Sequence, residues 1–189
     1  MKPEFLIGNP VYFITTNVKY KTFLFGKIDK GEMILNEYGN IVRNRWLWIA
    51  NQYPYVKLYA FIIMPNHVHG IIEINHKIQF THYQPIAEQN ESYDELIFEN
   101  TINCLNVIES TAGRDPQLIL NRKANKIKSL EELIGAFKTT SSKLIHQVGL
   151  VDFSWERSFH QSLINNKTEF ITVTKYILNN PGRWKKKYN

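Results

Sequence analysis

Apolar positions along the chain follow two periods, and the switches between them mark out the elements. Val11 to Asn17, coming after Asn9 and Pro10, is a run of β-branched and aromatic residues that predicts a first strand. Phe23 to Leu35 holds a second extended stretch, broken by Gly26 and by the turn-like Asp29-Lys30-Gly31. From about Asn36 to Gln52 the period lengthens: Tyr38, Val42, Trp46, Ile49 and Tyr53 recur at three and four residues, which predicts an amphipathic helix. Val56 to Met64 and His67 to Ile74 are nearly continuous apolar runs separated by Pro65-Asn66, expected as two core strands joined by a tight turn. Leu130, Leu133, Ile134, Phe137, Leu144 and Ile145 mark a second amphipathic helix ending near Gly149. Val151 to Leu163 reads equally as strand or loop. A last helix is expected from about Lys167, stopped by Pro181 because the residue before a proline is biased away from helical dihedrals.

This order predicts an α+β fold in which an antiparallel sheet packs on helices. Between His76 and Lys128 the periodicity is weak, with Gly, Pro, Asn and Gln scattered through it. A structureless loop of that length is unusual inside a compact domain. Residues 76–128 are therefore expected to be an insertion, partly mobile or carrying short helices, within a single domain spanning residues 1–189.

Composition narrows the class. With 189 residues, 43% apolar and 13% aromatic, the chain is globular, and disorder or a collagen-like structure is excluded. Cys104 is the single cysteine, so no disulfide can form within the chain, which suits a reducing compartment. Neither a signal peptide nor a membrane span is readable, and the expected address is the cytoplasm. Charge is unevenly placed. Residues 1–113 carry 9 basic and 11 acidic side chains, whereas residues 114–189 carry 14 and 6. A basic carboxy-terminal part suits a polyanion such as nucleic acid.

Three constellations could carry chemistry. His67 and His69 lie two apart in a predicted strand, so both imidazoles share a face and can converge on one metal ion while Val68 points into the core; two merely tolerated strand histidines would look the same. His76, His82 and His146 lack such spacing and are read as surface residues. Tyr176 and Asn180, four apart on the final helix, sit at the shoulder of an apolar stripe of Phe170, Val173, Thr174 and Ile177. Tyr176 there either offers its hydroxyl to a site on the sheet or simply covers the core edge. Lys138, Thr139, Thr140, Ser142 and Lys143, with Arg122, Lys123, Lys126 and Lys128 nearby, suit phosphate oxygens or form a solvated helix face. Trp155, Phe159 and Trp184 could stack on unpaired bases or belong to the core.

Taken together, Met64-Pro65-Asn66-His67-Val68-His69-Gly70, the basic helix with Phe137-Lys138, the Trp155-Glu156-Arg157-Ser158-Phe159-His160 segment and the late Tyr176-Ile177-Leu178-Asn179-Asn180-Pro181 resemble, in kind and order, the single-tyrosine transposases of the HUH superfamily, the REP-associated tyrosine transposases in particular. The resemblance implies a ferredoxin-like HUH nuclease fold, His67 and His69 as metal ligands with Asn180 as a third, polar ligand, and Tyr176 as nucleophile. It also implies a divalent metal, Mg²⁺ or Mn²⁺, and a single-stranded DNA substrate bearing a hairpin or palindromic repeat. Lys138, Lys143, Arg122, Lys123, Lys126, Lys128, Trp155 and Arg157 are the expected DNA-binding set. The family contains both monomers and homodimers, so the oligomeric state stays open. Two other readings remain: an HUH replication initiator or relaxase, and a non-catalytic single-strand nucleic-acid-binding module.

Overall fold

The centre of the fold is a four-stranded antiparallel sheet, whose strands are numbered here in chain order: β1 (Val11–Asn17), β4 (Val56–Met64), β5 (His67–Ile74) and β6 (His160–Leu163), laid side by side as β4-β5-β1-β6. The computed structural model describes residues 8–77 and 127–188, so the expected insertion lies outside the described residues except at its two ends. Residues 8–77 and 128–188 belong to one compact unit. The α+β expectation holds, with helices on both faces of the sheet.

β5 is the most buried strand, with seven of its eight residues in the core. It pairs with β4 through Met64↔His67, leaving Pro65-Asn66 as the two-residue turn, and with β1 through Thr15↔His69 and Asn17↔His67. On one face lie α1 (Glu37–Gln52) and α2 (Leu130–Gln147), with Trp46 of α1 edge-on to Phe137 of α2. Trp46 also explains Gly70, since a Cβ there would run into its indole. On the other face α3 (Lys167–Leu178) packs Phe170 and Ile177 against Val11, Ile71 and Ile164. Each of these helices begins on a side chain that accepts an amide otherwise left without a partner: Asn36, Ser129 and Asn166.

Three local features differ from the pattern-based reading or resolve it. The breaks expected within Phe23 to Leu35 are present and make a separate hairpin, β2 (Gly26–Asp29) and β3 (Glu32–Leu35), turning through Lys30 and Gly31, both at positive φ. The 151–163 segment is both things in succession. Trp155 bridges Val18, and the chain then joins the sheet as β6. Pro181 does not simply end the last helix: α3 stops at Leu178, and a new helix, α4 (Asn180–Tyr188), starts with Pro181 in its first turn, where a missing N–H costs nothing. Among the described residues no helix is long and apolar enough to cross a membrane.

Candidate active site

The carboxy-terminal end of β1, the amino-terminal end of β5 and the last two turns of α3 meet over one patch of the sheet. Alternation along β5 puts His67 and His69 on the α3 face, opposite Asn17 and Thr15 of β1. The two Nε2 atoms face each other at 3.0 Å. Nδ1 of His67 lies 2.7 Å from Oδ1 of Asn66, whose Nδ2 donates to the Lys21 carbonyl at 2.8 Å. The amide oxygen only accepts, so Nδ1 of His67 carries the proton and its Nε2 keeps a lone pair directed at His69. Nδ1 of His69 is in turn 2.8 Å from the Thr15 hydroxyl.

His69 is 5% exposed, and burial, reinforced by the neighbouring His67, pushes its pKa down to about 3. It is a neutral imidazole at any physiological pH. Phe13 stacks on its ring at 5.5 Å between centroids, which fixes the ring plane. Tyr176, half out of the core at 39% exposure, brings its hydroxyl to 3.4 Å from Nε2 of His69 and lies edge-on to Phe13. Trp184 of α4 covers the other side, 5.6 Å from the His67 ring, and touches Phe23 at 5.5 Å.

Two imidazole nitrogens in this relation fit two adjacent positions around one divalent cation, which at bonds of about 2.1 Å lie about 3 Å apart. Each imidazole is oriented through its second nitrogen, as metal-binding histidines are. The rest of the ligand set is thinner. Among the described residues no third His, Cys, Asp or Glu joins the pair. Asn180 is buried at the start of α4, one helical turn past Tyr176, but no hydrogen bond links its side chain to either histidine.

Four of the expected DNA-binding residues, Lys138, Lys143, Trp155 and Arg157, line one groove of about 830 Å³ between α2 and the 153–157 loop, and of these Lys143 and Arg157 are exposed. Lys138 is half-buried in its wall: its ammonium reaches the carbonyls of Glu156, Arg157 and Ser158 at 2.9, 3.4 and 3.0 Å, and burial lowers its pKa. Trp155 belongs mainly to the core, 7% exposed among Phe25, Phe137 and Phe153, with its indole N–H donated to Ser141. Lys128 stands just before α2, where its backbone N–H donates to the Tyr55 hydroxyl. Arg122, Lys123, Lys126 and His82 lie outside the described residues. His76 and His146 are exposed as expected, His146 bonding the Phe153 carbonyl. Sequence reasoning missed Thr15, Asn66 and Phe13. Strand alternation puts Phe13 and Thr15 on one face, but the β1–β5 register that sets that face over the histidines is not written in either strand alone.

Comparison with known proteins places the fold. No family model matches the chain. An uncharacterized protein of Haemophilus influenzae is 27% identical over 173 residues, which is 92% of this chain and 81% of that one. Among solved structures, a REP-associated tyrosine transposase bound to a REP hairpin is similar at a TM-score of 0.50 and 13% identity, over 93% of this chain and 68% of the other.

Proposed function

We propose that the chain is a metal-dependent single-strand DNA endonuclease and strand transferase of transposase type, acting on hairpin-forming DNA through a covalent phosphotyrosine. The observation that carries this reading is the placing of the Tyr176 hydroxyl 3.4 Å from Nε2 of a histidine whose own Nε2 meets a second imidazole at 3.0 Å. The shared fold with a transposase supports it.

His67 and His69 are the residues that would hold the divalent cation, with Asn180, buried one turn beyond the tyrosine, as a further oxygen ligand after a local adjustment. Bound there, the cation supplies Lewis acidity, drawing charge from a phosphodiester oxygen. Of Mg²⁺ and Mn²⁺, two imidazole donors favour Mn²⁺. Tyr176 attacks phosphorus through its phenolic oxygen. One P–O bond to the tyrosine forms as the P–O bond to the leaving 3′-oxygen breaks; the phenolic proton is released to solvent and the leaving oxygen takes one up. A phosphodiester replaces a phosphodiester, so a second 3′-hydroxyl can reverse the exchange without ATP. The ring is held for this edge-on to Phe13 and to the His69 ring.

The test is a covalent adduct. Incubated with a labelled hairpin-bearing single strand and Mn²⁺, the protein should retain label through denaturing electrophoresis. Tyr176→Phe keeps the ring and its packing but removes the attacking oxygen, so adduct and cleavage should both vanish while Tm moves by less than about 2 °C. Cleavage without adduct would mean that water is the nucleophile. Binding without cleavage by the wild type would leave only the recognition-module reading.

A further inference from the structure

Beside the histidine pair, the chain leaving β1 runs through a segment whose conformation the core does not call for. Lys19–Lys21 is one 3-10 turn in which Tyr20 (φ 60°, ψ 12°) and Lys21 (φ 54°) both hold left-handed backbone, although neither is glycine. Such conformations are strained for residues with a Cβ and persist only where the surroundings impose them. Here the surroundings are the Lys21 N–H to the Val18 carbonyl at 2.9 Å, the Lys19 N–H to the Ser154 carbonyl at 2.9 Å, and the bond from Asn66 to the Lys21 carbonyl. Asn66 is also the residue that orients His67. The strained turn and the site are therefore tied through one side chain.

The turn holds an aromatic ring out in water. Tyr20 is 84% exposed, with the Lys19 ammonium 5.0 Å from its centroid, and Phe23, 52% exposed, reaches Trp184, which in turn reaches His67. From Val18 to Ile28 there are three lysines and no acid. Flat apolar rings interleaved with cations suit a ligand that alternates flat apolar rings with negative charges, which is an unpaired nucleic-acid strand. A peptide or an acyl surface would make no use of that alternation.

We propose that Tyr20, three residues before the Phe23–Trp184 pair that reaches His67, is a stacking platform for an unpaired base next to the scissile phosphate, with Lys19 and Lys21 on the flanking phosphates. The proposal rests on the single-strand DNA reading above and names how that strand is presented to the histidine pair. Tyr20 thereby positions the substrate and takes no part in bond making.

The experiment uses the full chain in chelator, where no cleavage can occur, and a single-stranded oligonucleotide carrying one 2-aminopurine, whose fluorescence is quenched on stacking. Wild type should quench it. Tyr20→Ala should abolish the quench and weaken binding about tenfold, Tyr20→Phe should stay within twofold of wild type, and affinity for the same sequence as a full duplex should not change. Tyr20→Gly separates structure from binding: it relieves the left-handed strain, so Tm should rise while affinity falls as far as in the alanine variant. Single-strand affinity of Tyr20→Ala within twofold of wild type would overturn the platform. If wild type forms the Tyr176 adduct in Mn²⁺ in that case, only the platform falls. If binding depends on Tyr20 but no adduct ever forms, the joining reaction falls and the platform stands.

Discussion

Thr15 shows how much of the candidate site rests on single atoms outside its three chemical residues. Its hydroxyl, 2.8 Å from Nδ1 of His69, is the hydrogen-bond partner of that buried ring's second nitrogen and so fixes how the ring faces His67. Thr15→Val keeps the shape and the β-branch but removes the oxygen. The expected result is a 10-fold to roughly 100-fold rise in the Mn²⁺ concentration needed for half-maximal cleavage, with Tm nearly unchanged. Titration of metal against cleavage, with thermal melts alongside, checks both halves. An unchanged metal requirement would mean that the pair is held well enough by Phe13 and Asn66 alone.

At the scale of elements, the segment after α2 illustrates what is legible in the chain and what is not. The helices are legible because their apolar stripes repeat at the helical period; the capping box of Ser129 with Glu132 that opens α2 is a further local signal, one the apolar stripe does not carry. The histidine pair and Tyr176 are legible as spacings. The contact between them is not, since it depends on α3 crossing β5, a packing fact no local pattern records. Lys138 departs from expectation for a related reason: a lysine on a polar helix face looks solvated until the 153–158 loop folds over it and three carbonyls converge on its ammonium. It holds that loop, which bridges Val18 just after β1 and bonds Asn17 through Glu156. Lys138→Met keeps the aliphatic stem and leaves those carbonyls without their donor, so it should cost about 1–2 kcal/mol in denaturant unfolding. A phosphate-binding lysine would instead lose DNA affinity and leave stability alone.

Across the whole molecule, the histidine pair and the exposed cations of the groove lie beside different helices. The histidine pair lies under Tyr176 of α3, where His69 is buried and neutral and Asn180 of α4 is also buried. Lys143 and Arg157 line the groove beside α2, in the carboxy-terminal part that carries 14 basic and 6 acidic side chains. Cations on an exposed groove act by displacing counterions from phosphate, a contribution that salt erodes; atoms that touch the scissile phosphate contribute little to that slope. If the groove holds the backbone of a hairpin stem, Lys143→Ala and Arg157→Ala should each weaken hairpin binding and flatten the dependence of log K on log salt by about 0.9, the amount expected when one duplex phosphate is no longer neutralised by the protein. With saturating DNA at low salt, both variants should still form the Tyr176 adduct at close to the wild-type rate. Tyr176→Phe should do the reverse, leaving the slope intact and abolishing the adduct. Salt titrations by fluorescence anisotropy, paired with adduct formation at saturation, measure the two properties independently. Slopes that stay at the wild-type value in both groove variants would place the stem elsewhere on the basic surface, while an adduct rate that falls with them at saturation would mean that the groove also sets the scissile phosphate in front of the tyrosine.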